Sequence, residues 1–167
     1  MGAGLYLHVP FCRRKCPYCN FYSVSAQPEL LTAYTAAVCR NLRHYGNAAQ
    51  PERVDTVYFG GGTPSLLDPA DAARLIDAAQ PLPKAEITLE ANPETVTEDS
   101  LRAFREAGVN RISFGVQSAR DSQLKTLGRP HTAKQARAAF AAAQRAGFTN
   151  ISGDIMLALP HYTQAEF

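Results

Sequence analysis

The sequence predicts an α/β fold built on a parallel sheet, and three observations carry that reading. Short runs of β-branched, aromatic and aliphatic residues alternate with amphipathic helical segments along the chain, the order that parallel strands with helical crossovers require. Eleven glycines and eleven prolines exceed what a helical bundle tolerates and call for frequent turns. A complete eight-stranded α/β barrel takes about 250 residues, so 167 residues cannot contain one. With 46% hydrophobic and 19% charged residues, disorder is excluded as the main state.

Taken in order, the first strand is expected over 4–9, leading into a cysteine-rich loop. Pro28 then opens a helix in which Leu31, Tyr34, Val38, Leu42 and Tyr45 recur at three- and four-residue spacing before Gly46. The second strand is expected over 54–60, and Asp68 with Pro69 starts the next helix. After a third strand over 86–91, Val96 and Leu101 form a hydrophobic staple around the N-cap Thr97, and that helix stops at Gly108. The fourth strand is expected over 111–117. Thr132 and Gln135 make a capping box for an Ala-rich helix that runs to Gly147 and precedes a fifth strand over 150–157.

These strands have one polar and one apolar face. Tyr6 and His8, Glu90 and Asn92, Ser113 and Gln117, and Ser152 and Asp154 alternate with Leu5, Leu7 and Val9, Ile87 and Leu89, Ile112, Phe114 and Val116, and Ile151 and Ile155. Buried parallel strands ordinarily read as continuous apolar runs. If the apolar faces receive the helices, the polar faces converge on an interior better suited to a ligand than to a packed core. The alternative is an antiparallel sheet with one wet face, against which the intervening helices argue.

Composition narrows the partners. A formal net charge of +2, without a long basic stripe, offers no track for a nucleic-acid backbone. No stretch approaches the roughly 20 apolar residues of a membrane span, and Met1 to Tyr6 contain no basic region leading into an apolar one. A soluble, cytoplasmic protein is expected. Gly2 begins no myristoylation signal, since position 6 is Tyr where Ser or Thr is needed.

Cys12, Cys16 and Cys19 fall within one short loop, and Cys39 stands apart. Three thiols in one loop cannot all pair with one another, which favours a metal or cluster site over a disulfide framework. Their spacing suits a 4Fe–4S cluster in which each thiolate holds a different iron and the fourth iron stays open to a small molecule. Arg13, Arg14 and Lys15 lie between the first two thiols and favour their deprotonation. The competing reading is a zinc held by Cys12, Cys16 and Cys19, with His8 as a fourth ligand. It lacks the second two-ligand knuckle that structural zinc sites usually have. Gly60-Gly61-Gly62-Thr63 at the end of the second strand reads either as a tight turn or as a close backbone approach to a ligand. Without a following Lys-Ser or Lys-Thr it is no P-loop. His8 is as much a structural histidine as a ligand, Cys39 reads as a small helix residue and His131 as loop structure.

The C-x-x-x-C-x-x-C loop after a first strand, with an aromatic residue before the third cysteine, resembles the radical S-adenosylmethionine (SAM) superfamily. Within it, Leu5-Tyr6-Leu7-His8-Val9-Pro10-Phe11-Cys12 and Phe59-Gly60-Gly61-Gly62-Thr63-Pro64 resemble oxygen-independent coproporphyrinogen III oxidases and their heme chaperone relatives. So do Glu90-Ala91-Asn92-Pro93, Ser113-Phe114-Gly115-Val116-Gln117-Ser118, Leu127-Gly128-Arg129 and Asp154-Ile155. The likeness runs from Tyr6 to Pro160.

The resemblance implies a partial (β/α) TIM-like barrel of the radical SAM type, truncated after about the fifth strand. Residues 1–167 would then be the N-terminal part of a radical SAM core domain, its C-terminal remainder absent. Such a unit is expected to expose a strand edge and apolar surface, and so to aggregate or bind SAM poorly. The resemblance also implies a 4Fe–4S cluster on Cys12, Cys16 and Cys19, with SAM on the open iron. There an electron from the reduced cluster splits the sulfonium bond, yielding methionine and a 5'-deoxyadenosyl radical. By the same resemblance Tyr6, Tyr18, Gly61, Gly62, Thr63, Glu90, Gln117, Arg129 and Asp154 contact SAM.

Two functions follow from it. One is a heme chaperone that binds heme and passes it to an acceptor protein. The other is a coproporphyrinogen III oxidase that decarboxylates propionates to vinyl groups. Heme or a porphyrinogen and a reductant for the cluster are the implied partners. Oxidase-branch proteins carry a further cysteine two residues after the third, and here that residue is Phe21. The longer N-terminal arm of that branch is also missing. Both departures favour the chaperone.

Overall fold

In the computed structural model, residues 2–48, 54–159 and 163 are described. The five foreseen long strands pair side by side in chain order. They are β1 (Ala3–Val9), β4 (Val54–Gly61), β5 (Glu86–Ala91), β6 (Arg111–Gln117) and β7 (Asn150–Ile155), and every neighbouring pair is parallel. The antiparallel alternative is thereby excluded. The crossovers are α1 (Pro28–Ala48), α2 (Pro69–Ala79), α3 (Glu98–Glu106) and the pair α4 (Asp121–Thr126) and α5 (Ala133–Arg145). Two-residue strands β2 (Phe11–Cys12) and β3 (Val24–Ser25) pair beside the sheet.

Local chemistry explains the boundaries. The Asp68 carboxylate accepts from the Ala70 amide at 2.8 Å and Pro69 takes the first helical position of α2. At α3, Thr97 and Ser100 exchange side-chain and backbone hydrogen bonds, and at α5 Thr132 and Gln135 do the same. Gly108 and Gly147 follow these helices with φ of +108° and +92°, a conformation that glycine adopts without strain. Gly46 does not stop α1, which continues to Ala48. An isolated glycine costs a helix only about 1 kcal/mol, too little to end it. The last strand closes at Ile155 rather than at 157. Pro160, where the family likeness ends, lies outside the described residues.

The two faces separate as the alternation requires. Leu7, Val9, Val57, Phe59, Leu89, Ile112 and Phe114 are buried against Leu75, Leu101 and Phe104 of the helices. Small residues at Ala136, Ala139 and Ala143 bring α5 close to the sheet, where Phe140 packs on Phe114 with ring centres 5.0 Å apart. On the other face Thr88 and Ser113 are buried polar residues. Arg111 donates to Ser152 Oγ at 2.8 Å and to Thr88 Oγ1 at 3.3 Å, and Ser113 donates to Asp154 at 3.3 Å. This ladder closes the N-terminal half of the interior. The C-terminal strand ends are left open, where parallel α/β folds carry their sites.

Candidate functional site

At those C-terminal ends lies a cavity of about 400 Å³. All three loop cysteines line it, as do Tyr18, Gly61, Gly62, Thr63, Glu90, Gln117, Arg129 and Asp154. Tyr6 alone among the expected residues is not in the lining. Its ring stacks on Tyr58, which does line the cavity, centres 6.0 Å apart.

The cysteine loop is closed at its base by the β2–β3 ladder. Val24 N donates to Pro10 O at 2.7 Å and Ala26 N to Cys12 O at 3.0 Å. Within the loop, Cys19 N donates to Cys16 O at 3.0 Å. His8 ties the loop to β1: its Nε2 lies 3.0 Å from the Tyr22 carbonyl and so carries the proton, while its Nδ1 accepts from Tyr6 OH at 3.3 Å. With both ring nitrogens engaged, His8 is structural rather than a metal ligand. Cys39, buried in α1 with its thiol 3.6 Å from the Arg74 carbonyl, stands apart from the site.

The glycine turn docks onto this loop. Gly62 N donates to Val9 O at 2.8 Å and Thr63 N to Phe11 O at 2.7 Å. Thr63 Oγ1 sits 3.6 Å from the Cys12 sulfur and accepts from Asn92 Nδ2 at 3.2 Å. A Cβ at Gly62 would stand 2.7 Å from the Phe11 carbonyl oxygen and 2.9 Å from Phe11 N and Val9 O. Glycine at 62 is therefore required by the cysteine loop's own backbone, a need independent of any ligand. Gly61, at φ +112°, is required by its conformation.

Arg129 braces the opposite wall. Its guanidinium donates to the Gly115 carbonyl at 2.8 Å and to Asn92 Oδ1, and lies 3.6 Å from the Cys16 sulfur. Burial pushes the Tyr18 phenol up to about 12, with Arg129 pulling the other way.

Gln117 ends β6 at φ +66° inside a tight turn in which Ser118 N donates to Val116 O at 2.9 Å. Such left-handed, three-residue turns in a non-glycine residue are strained and concentrate at functional sites. His131 holds this turn from below: its buried ring donates from Nε2 to Val116 O at 3.1 Å, and Nδ1 lies 3.2 Å from Glu94 Oε2. The loop reading of His131 thus gains an anchoring role. Burial alone would raise the Glu94 carboxyl, but hydrogen bonding and charge from His131 and Arg129 bring it below the usual range. A depressed acid contributes stability that is complete above its unfolded value and lost as pH falls through its folded one. Glu94→Gln is accordingly expected to flatten the acid limb of a denaturation-against-pH profile. An unchanged acid limb would refute this.

Two residues that the list of expected contacts omits also shape the cavity, Tyr58 and Asn92. Tyr58 OH donates to Glu90 Oε1 at 2.8 Å while Gly61 N donates to Glu90 Oε2 at 3.2 Å, which fixes the carboxylate between strand and turn. Burial and the Glu90 charge both push the Tyr58 and Tyr6 phenols up. The signal for Tyr58 was its parity with Gly60 on β4. Tyr58→Phe is expected to free Glu90 at a cost of about 0.5–1.5 kcal/mol, seen as a roughly two- to tenfold weaker SAM affinity in equilibrium dialysis. Unchanged affinity would contradict the assignment.

The donor set fits an iron–sulfur cluster with a small cationic ligand: three half-buried thiols beside Arg129 and Thr63 on one wall, carboxylates on another. Among the described residues no three His, Cys, Asp or Glu side chains are gathered tightly enough to hold one metal ion. No described helix is long and apolar enough to cross a membrane.

Comparison with known proteins places this geometry. The mitochondrial radical S-adenosyl methionine domain-containing protein 1 of Bos taurus is 41% identical over 162 residues, covering 95% of this chain and 37% of that protein. Heme chaperone HemW of Escherichia coli is 41% identical over 168 residues, covering 98% and 44%. The solved coproporphyrinogen III oxidase HemN of Escherichia coli, titled a radical SAM enzyme, superposes with a TM-score of 0.87 at 28% identity, covering 98% of this chain and 39% of that one. The chain thus spans less than half the length of these relatives. The fold is the partial barrel expected from the sequence. A match to the Radical SAM superfamily runs over residues 6–167, and the chain belongs to that superfamily.

Proposed function

We propose that this chain is the cluster-binding part of a heme chaperone, a protein that binds heme and hands it to an acceptor. The observation that carries the branch is the 41% identity to a heme chaperone over 98% of the chain, against 28% to the oxidase structure. Phe21, in place of the oxidase branch's extra cysteine, supports the same side.

Cys12, Cys16 and Cys19 are the ligands of a 4Fe–4S cluster in this reading. Tyr6, Tyr18, Gly61, Gly62, Thr63, Glu90, Gln117, Arg129 and Asp154 bind SAM, Tyr6 with its ring stacked on Tyr58. When bound, the reduced cluster supplies the electron for reductive cleavage of SAM. The chain's own part is to gather the three thiols in one loop with Arg129 beside Cys16, offer Glu90 and Asp154 to a cationic ligand, and close the interior to water below Ser113. A one-electron reductant and an acceptor protein are the partners, and a reducing compartment such as the cytoplasm is the setting. Residues 1–167 form the N-terminal part of a radical SAM core. Its continuation covers the edge of β7 and the apolar groove of about 410 Å³ between Phe140 and Ile155.

Two assays on the full-length protein decide between the branches. Titration with heme is expected to saturate at a defined stoichiometry. Incubation with coproporphyrinogen III, SAM and a reductant is expected to give no vinyl product. Vinyl product would assign the protein to the oxidase branch instead.

A further inference from the structure

Half-buried Glu90 and exposed Asp154 lie on the strand wall of the cavity and Arg129 beside Cys16, whereas Arg14 and Lys15, both exposed, line it from the cysteine loop together with the Phe21 ring, itself 64% exposed. Among the described residues no acidic side chain pairs with Arg13, Arg14 or Lys15. The Lys15 ammonium donates only to the Phe21 carbonyl, at 3.4 Å, which keeps cation and ring together. A cationic ligand suits the carboxylates of the strand wall. The rim suits the opposite: an anion with more than one negative group and a flat apolar body.

We propose that Arg14, Lys15 and Phe21 form a seat for the carboxylates and one face of a tetrapyrrole at the mouth of the cavity. The inference rests on the heme reading above and adds where the macrocycle sits. Adjacent cations on successive residues can each take one propionate through charge-assisted hydrogen bonds, and an exposed phenylalanine ring offers a stacking face. A large planar ligand cannot enter a cavity of about 400 Å³ already assigned to SAM, but it can lie across the opening. Phe21 thereby acquires a use at the position where the oxidase branch has its extra cysteine.

The test uses the full-length, cluster-loaded protein, with iron content and visible absorption checked for each variant. Arg14→Gln/Lys15→Gln is expected to weaken heme binding about tenfold or more, corresponding to loss of at least one charge-assisted contact. Phe21→Ala is expected to weaken it about threefold, and SAM affinity is measured alongside. Because a variant can fail to load its cluster, the wild type is also titrated with the dimethyl ester of the same iron porphyrin. The ester should bind about tenfold more weakly than the free acid. Equal affinity for acid and ester, or unchanged heme affinity in the double variant, would overturn the seat while leaving the chaperone reading intact. A loss of SAM affinity alone would show the cations serving the SAM carboxylate, and a loss only in reduction by an acidic electron-carrier protein would make the rim a docking surface. Either result overturns the proposal. No heme binding by the wild type would remove the parent reading itself.

Discussion

Replacing Cys12, Cys16 or Cys19 by alanine will each abolish the cluster's visible absorption and bring SAM cleavage to background. The effect is all or none because in the proposed reading each thiolate holds a different iron, in a loop closed by only two short strands. No other thiol can substitute: Cys39 is buried in α1 with its sulfur facing the Arg74 carbonyl. Cys39→Ala therefore serves as the control. It should keep a full cluster at a stability cost of about 1 kcal/mol or less, the loss of a small buried side chain. Retained cluster in a loop variant, or loss of it in Cys39→Ala, would contradict the assignment.

The second large effect is expected at Gly62. Gly62→Ala places a methyl group 2.7 Å from the Phe11 carbonyl oxygen and 2.9 Å from two further backbone atoms. No side-chain rotation relieves that overlap, so the glycine turn must part from β1 and β2. The hydrogen bonds from Gly62 to Val9 and from Thr63 to Phe11 go with it. Overpacking against backbone costs about 3 kcal/mol, and the displacement reaches Cys12 through the Thr63 hydroxyl. Denaturant unfolding with iron analysis should show both lower stability and incomplete cluster loading. Normal stability and full loading would mean that the turn and the loop are not coupled in this way.

Much of this was legible in the residues because the informative signals are local. The stapled N-cap at Thr97, the capping box at Thr132 and the period-two polarity of the strands each depend on neighbours within a few positions. Alternation alone put Glu90, Gln117 and Asp154 on one interior, where they line the same cavity as the three loop cysteines; the other expected contacts came from the family likeness. What escaped depends on distant contacts. Two residues of β2 against two of β3 leave no periodic trace, and α4 is too short to show one. The hold of Tyr58 on Glu90 spans 32 positions and that of Arg129 on Cys16 spans 113. Gly62 gains a further reason that the sequence did not show: its missing side chain makes room for the Phe11 backbone. Tyr6 stacks on Tyr58 across 52 positions, a contact that no local pattern announces.

The central claim is a 4Fe–4S cluster on three thiolates whose open iron takes SAM. Electron paramagnetic resonance of the anaerobically reconstituted, reduced protein, before and after adding SAM, tests it most directly. The account predicts about four irons per chain and a cluster signal whose g values shift when SAM is added, because a ligand has bound to the open iron. Zinc in place of iron, or a cluster signal indifferent to saturating SAM, would contradict it.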